Sequence, residues 1–564
     1  MNRISLLVRR SFNIGGPIAA AVLATWMLGG CGGKQQLTEA TATVAVEGDV
    51  DSFNPLFAEE IVSGEINDLI FPRLVTSDFD AARGELKFSP FLASSWEYSN
   101  DSRDITFHLR NVRWSDGVRV TARDVQLSFE LYGDTAVASI RQAVVQNFRR
   151  TKGKLDIANA VEPLNDSTVV VHFEKGSPSQ LFDLGVPLVP THIFGMIPRK
   201  ELRTHPINKK PVTCGPFALA HWSPMQEVVL ERSRNFGAPF TPKLSKLIFK
   251  ILPDYRSRIA QLESGEVDVV SGLRVEDTNI ASRNPNITIV STVGRDYDLL
   301  GWNNLDPDAW SKSNGGTIAP HKLFGSATVR RALTMAINRE SIVKAYLKQH
   351  GQAASGGVSP LFKWAFNDRL KPLPFDNAQA ATLLAREGWR DSNGDGVLDK
   401  NGVSLAFAMK LASGNQLRDA IAVLVQQQLR EIKIEMRIEQ VERATFWNDL
   451  MQRKYDAWFA GFSVPLQMQL DDLWSSDLRK YPFNLVGFRN PRVDEILTAT
   501  KTLTRESDGA ALWHEFQTIV AREQPCTFLF WINNIVGVNS RIEGTQVGIL
   551  GATHKAWEWS IKQR

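Results

Sequence analysis

The chain alternates between two spacings of apolar residues. Runs with period-two or continuously β-branched patterning occur at Ala42 to Val46, Ile105 to Leu109, Thr168 to Phe173, Glu227 to Arg232, Ser245 to Leu252, Leu405 to Met409, Ile432 to Ile438, Tyr455 to Ala460 and Pro525 to Trp531, and predict strands. Ser63 to Leu74, Val329 to Arg339, Ala378 to Glu387 and Leu417 to Leu429 instead repeat apolar residues at helical spacing. In the second of these, Val329, Ala332, Leu333, Ala336 and Ile337 stand at i, i+3, i+4, i+7 and i+8. Strands and helices that alternate in this way predict α/β lobes.

The densest local signal is Arg113 to Phe129, RWSDGVRVTARDVQLSF. Ser115-Asp116-Gly117 supplies a turn after the strand ending at Leu109. Thr121 and Asp124 have the spacing of a capping box, and Val125 and Phe129 give the following helix a buried side. The constellation is structural and contains no catalytic geometry.

At 564 residues the chain is too long for one core, and about 100–200 residues per domain gives two to four lobes. Its 43% apolar and 22% charged residues are ordinary globular values. Residues 1–30 read as a secretory leader: Arg9-Arg10, the mostly apolar run Ile14 to Leu28, then Leu28-Gly29-Gly30-Cys31. The run is short for a membrane span, which takes about 20 apolar residues. Arg9-Arg10-Ser11-Phe12 also fits a twin-arginine export signal, so the export route stays open. Of 65 basic residues, Arg3, Arg9 and Arg10 leave with the leader, so 62 face 61 acids, a net charge of +1. Nucleic acid, which wants a strongly basic surface, is not an expected partner. Beyond Cys31 only Cys214 and Cys526 remain, which excludes a disulfide scaffold; an oxidising compartment would permit one bridge between them, and two separate buried thiols are the expectation.

Motifs for covalent or metal chemistry are incomplete. Asp391-Ser392-Asn393-Gly394-Asp395-Gly396 opens like a calcium loop, but Gly402 stands where the bidentate Glu belongs, so a plain turn is expected. His514-Glu515 lacks the second His of a zinc motif, because Thr518 occupies that position. Gly461-Phe462-Ser463-Val464-Pro465 lacks the closing Gly of a nucleophile elbow. The nine His are scattered, and of the 15 Trp, which in a cleft would bury a ligand well, most are expected in the core. No catalytic residue, metal or cofactor is expected.

The pattern W-S-D-G-x-x-x-T-A-x-D-V-x-x-S-F within Arg113 to Phe129 resembles the signature of the dipeptide- and oligopeptide-binding proteins of ABC importers, solute-binding protein family 5. Asp49 to Leu56, Val212 to Phe217, Gly301 to Asn304, Val329 to Arg339 and Asn484 to Asp494 resemble further elements of that family, with Cys214 in place of a Gly. The likeness runs from about Val44 to Trp531. Leu28 to Cys31 resembles the bacterial lipobox, which implies lipidation of Cys31 and a tether over 31–40. The family implies a periplasmic-binding-protein-like α/β fold with two hinged α/β lobes and a smaller accessory lobe. Lobe I would comprise 41–74, 189–294 and 525–564, the accessory lobe 75–188, and lobe III 295–524, with hinges near Thr292 to Tyr297 and Arg522 to Pro525.

The same resemblance implies function. The chain would act as a monomeric, extracytoplasmic, lipid-anchored binding component that is not an enzyme. It would capture a peptide or similar solute in the interlobe cleft and pass it to an ABC permease and its ATPase. Implied ligand-binding residues are Asn54, Trp302, Asn303, Trp458, Phe462, Asp471, Asp472 and Trp474. Peptide-binding relatives often carry an Asp shortly after a Gly-Trp pair, to meet the ligand's amine; here Gly461-Phe462-Ser463-Val464-Pro465 has no acid until Asp471-Asp472. Those two acids either meet the ligand or cap a helix. The missing acid keeps a non-peptide solute open: a nickel chelate, an opine or an oligosaccharide. A peptide sensor or chaperone is a further alternative, and an envelope hydrolase the least supported.

Overall fold

The structure, a computed structural model, describes residues 40–237 and 239–562. The leader, Cys31 and the tether up to residue 39 lie outside the described residues.

Two strands are long enough to belong to two lobes at once. Ile287–Trp302 has 16 residues and Cys526–Asn539 has 14, so at about 3.3 Å per residue each runs some 45–50 Å. They pair antiparallel in the middle of an 11-stranded sheet. On one side the order continues through Val269–Ser271, Thr41–Val46, Lys246–Ile251, Glu227–Arg232 and Phe217–Ser223; on the other it continues through Ala457–Ser463, Ala406–Ala412 and Glu435–Val441. Gly351–Ala353 also pairs with Cys526–Asn539. The parallel pair Ala406–Ala412 and Glu435–Val441 is joined through the helix Gln416–Glu431, a βαβ unit that buries Ile421, Val425 and Leu429.

Packing divides along the same two strands. Ile289 and Ile535 face the apolar cluster around Leu262 and Val270, whereas Leu300 and Leu529 face the cluster around Phe324 and Phe407, and Tyr297 and Phe528 the one around Trp513 and Phe516. The register breaks between Thr292 and Asp296, opposite Ile532 to Asn534. The chain therefore crosses between lobes at Thr292 to Asp296, within the predicted segment, and at Ile532 to Asn534. Arg522 to Pro525 is not the second crossing, because Cys526, Phe528 and Trp531 still pack in lobe III.

The accessory region 75–188 holds the hairpin Val75–Asp80/Glu85–Pro90, a four-stranded sheet and the helix Ala122–Gly133. One apolar cluster runs from Ala42 through Phe107, Phe129 and Val171 to Trp559, so this region shares its core with lobe I. Arg113 to Phe129 forms part of that weld. Asp124 accepts from the Thr121 amide at 2.6 Å and completes the capping box. Its other oxygen accepts from the Thr191 amide at 2.7 Å, and Asn235 Nδ2 donates to the Trp114 carbonyl at 2.9 Å.

Several element ends differ from the periodicity for local reasons. The first helix is Ile61–Ile70 and stops short of Leu74, because Pro72 disfavours helical backbone at Phe71. Ala327–Met335 ends before Arg339, because Asn338 caps a new helix and accepts from the Ser341 amide at 2.9 Å. Lys433, at φ +61°, delays the strand expected from Ile432 until Glu435. Cys214 has ordinary negative φ, so a side chain at this position stores no backbone strain. The neighbouring Gly215 is the constrained position, lying against the backbone of Leu69 and Ile70. Cys214 and Cys526 are both buried and unpaired.

Candidate functional site in the interlobe cleft

Two cavities open where lobe III meets the rest of the molecule. The smaller, about 440 Å³, lies at the strand crossing and is lined by Thr292 and Val293, by Pro360, Leu361 and Lys363, by Phe79 of the hairpin, and by Val547 to Leu550 with His554. The larger, about 540 Å³, lies between the accessory region and lobe III. Gln146, Asn147, Lys175 and Ser177 form its accessory wall; Trp364, Asp471, Asp472, Lys501, Glu506 and Trp513 form the wall opposite. The loop Pro360 to Trp364 contributes to both, and the hairpin rests on it: Gly84, at φ +74°, lies against the backbone of Leu361 to Lys363, and Phe79 meets Phe362 edge-on at 6.4 Å.

Charge is placed unevenly along this cleft. At the smaller cavity, Lys555 pairs with Asp78 at 2.5 Å. Burial, aided by Arg73 and Lys555, lowers the His554 imidazole to about 4, so it is neutral at pH 7. At the larger cavity Lys501 pairs with Asp471 at 2.6 Å, and burial raises the Glu506 carboxyl to about 7. Aromatic walls with a few convergent charged groups suit a ligand that has both apolar and ionic parts.

Of the eight residues the sequence nominated, Asp471 and Asp472 line the larger cavity. Neither caps the short helix Asp471–Trp474: Leu470 holds the cap position, and the Asp471 carboxylate is spent on Lys501. Phe462 is half-buried in an aromatic cluster with Tyr297, Trp447 and Trp458, at centroid distances of 6.3, 6.2 and 5.7 Å.

The other five are structural, which corrects their assignment to the cleft. Trp302 is fully buried against Phe324 and Phe407, and its Nε1 donates to Thr527 Oγ1 at 3.1 Å. Asn303 is buried and donates to the Tyr455 carbonyl at 3.1 Å. Trp458 packs over Gly301, where a side chain would overlap its indole. Trp474 is buried among Phe488, Phe516 and Phe528. Asn54 is buried, accepting from the Leu56 amide at 3.0 Å and donating to Asn208 at 2.9 Å. Lobe-edge position nominated these residues, but the strands carrying Trp302 and Trp458, the loops at Asn54 and Asn303 and the helix ending at Trp474 all turn their side chains inward.

Trp364, Glu506, Trp513 and the accessory wall were not anticipated. They stand in short irregular or amphipathic stretches whose pattern does not separate cavity from core. The acidic turn at Asp391 is closed by its own contacts: Lys433 Nζ meets Asp391 at 2.8 Å, and the Ser392 amide donates to Asp399 at 2.8 Å.

Comparison with known proteins agrees with this architecture. The chain is 27% identical over 512 residues to the oligopeptide-binding protein AppA of Bacillus subtilis, covering 88% of this chain and 87% of that protein. The crystal structure of AppA in complex with a nonapeptide superposes with a TM-score of 0.71 at 26% identity, covering 93% of this chain and 99% of that one. NikZ of Campylobacter jejuni, solved with Ni(L-His), shares the fold with a TM-score of 0.73 at 24% identity, covering 92% and 99%. The sequence model described as bacterial extracellular solute-binding proteins, family 5 Middle, matches residues 87–476, and the chain belongs to that family.

Proposed function

We propose that this protein captures peptides in the cleft between lobe III and the lobe I–accessory body, closing by rotation about the paired crossings at Thr292 to Asp296 and Ile532 to Asn534. The observation that carries the reading is the cleft itself: one cavity at the strand crossing and a larger one walled by Trp364 and Trp513 open where lobe III meets the rest of the molecule, and two continuous strands are the only sheet connection between the lobes among the described residues. Likeness to AppA, whose structure holds a nonapeptide, supports a peptide as the occupant. A peptide held extended uses main-chain hydrogen bonds, which tolerates varied side chains.

In this proposal residues 1–30 direct export, Cys31 carries the lipid that holds the protein to the membrane, and an ABC permease with its ATPase takes the ligand from the closed form. Binding involves no covalent step. No helix among the described residues is long and apolar enough to cross a membrane.

A thermal-shift series with peptides of two to nine residues tests the reading. A ligand at 100 times its Kd stabilises the folded form by about 2.7 kcal/mol, so a binding peptide must raise the melting temperature. If no peptide does, and a metal chelate, opine or sugar does, the peptide assignment is wrong. The second reading, a non-peptide solute, is favoured by one feature only: no acid follows Gly461-Phe462 within this strand end.

A further inference from the structure

Glu506 opens the turn Glu506–Gly509 and lines the larger cavity. Its carboxylate accepts one hydrogen bond, from the Met468 amide at 3.2 Å, and no Lys or Arg among the described residues is paired with it. Of the three lysines that share its cavity, Lys175 stands on the accessory wall without an ion pair to Glu506, and the other two are engaged elsewhere. Lys501 is bound to Asp471 at 2.6 Å, and Lys480 sits 5.0 Å from the centre of the Tyr481 ring. Glu85, on the nearby hairpin, acts on Glu506 as a second negative charge from outside the cavity lining. Two indoles, Trp364 and Trp513, line the same space, and an indole face attracts a cation.

A carboxylate removed from water without a counter-ion is costly to keep ionised. Burial, with Glu85 acting in the same direction against the Met468 hydrogen bond, raises this carboxyl to about 7. An arriving ammonium supplies the missing charge and restores the carboxylate. We infer that this cavity is an ammonium pocket, with Glu506 as the counter-ion and Trp364 and Trp513 as its walls, so that the ligand presents a free amine here. The inference rests on the peptide reading and specifies which end of the cleft takes the amine.

Calorimetric titration of the purified protein with three probe sets tests it. The first is a set of lysine-free peptides with free amino termini, the second the same peptides N-acetylated, and the third N-acetylated peptides containing one lysine. A charge-assisted hydrogen bond strengthens binding by about tenfold or more, so acetylation should weaken binding by that factor in the wild type. In Glu506→Gln the free and acetylated sets should bind alike. Recovery of affinity in the third set assigns the amine to a side chain; no recovery assigns it to the amino terminus, and both support the pocket. Equal affinity of free and acetylated peptides for the wild type overturns the inference and leaves the peptide reading intact, as does a Glu506→Gln protein that still discriminates. If no peptide of any set binds, the peptide reading falls and the inference with it. Should Glu506→Gln not fold, the wild-type comparison of the first two sets decides alone.

Discussion

Gly294 lies with its Cα against the carbonyl of Ile532, at the point where both lobe-crossing strands lose register, and the gap has no room for a side chain. Ser359 Oγ fixes the same spot by donating to the Gly294 carbonyl at 2.8 Å. The crossing is thus a close backbone contact flanked by two lobes, and substitution there should act on stability and closure together. A methyl at Gly294 meets backbone, which cannot step aside as a flexible side chain can. Gly294→Ala should destabilise by about 1–3 kcal/mol, as overpacking does, whereas Gly48→Ala, with open space around it, should stay within about 0.5 kcal/mol. Urea titration of the two variants checks the contrast.

The Asp298 carboxylate is nearly fully buried and held by Arg418, whose Nε and Nη2 both donate at 2.8 Å. The pair lies against Gly461, where a side chain would collide with it. Arg418→Ala leaves the buried charge unmatched and should cost about 3–5 kcal/mol, while the double change Asp298→Asn with Arg418→Met should cost far less. A double variant as unstable as Arg418→Ala alone would contradict the buried-pair account.

Two neighbouring groups should give opposite pH dependence. Burial raises the Glu65 carboxyl from 4.5 to about 7, although Thr553 donates to it at 3.1 Å. The folded state binds this proton more tightly than the unfolded chain, so the stability it contributes is full below about pH 4.5 and is lost as pH rises towards 7. His554, lowered from 6.5 to about 4, binds its proton less tightly when folded; its contribution is full above about pH 6.5 and is lost as pH falls towards 4. Melting curves from pH 4 to 7.5 should show the decline reduced in Glu65→Gln, with Glu506 still contributing its share, and the rise reduced in His554→Gln. Profiles parallel to the wild type would rule out both assignments.

The hairpin contact at Gly84 should hold the cleft narrow. A side chain at Gly84 would be strained at φ +74° and would strike the backbone of Leu361 to Lys363. Gly84→Val should therefore lift the hairpin, increase the radius of gyration in solution scattering, and weaken ligand binding without unfolding the accessory sheet. An unchanged radius would show that the hairpin does not hold the lobes together.

Local chemistry made the scaffold legible in the sequence. The Thr121–Asp124 capping box, the stripe from Val329 as far as Met335 and the helix through Leu417 to Leu429 each rest on contacts within a few residues, and each is found in the structure. Long-range placement made the site less legible. Trp302 and Trp474 read equally well as cleft or core, and their inward orientation depends on Phe324, Phe407 and Phe516, partners distant in sequence or hidden by the same pattern. The accessory wall at Gln146 to Ser177 meets Glu506 across more than 300 positions, which periodicity does not record. Cys526 to Trp531 reads correctly as a strand, yet nothing in these six residues tells that it continues to Asn539 and carries the lobe crossing.

We propose a peptide as the occupant of the cleft between the lobes. Native mass spectrometry of the protein as purified, followed by release and sequencing of whatever leaves on denaturation, tests it most directly. The account predicts a ladder of adducts whose released masses fragment as peptides. A released metal chelate, opine or sugar, with no peptide among the products, would contradict it.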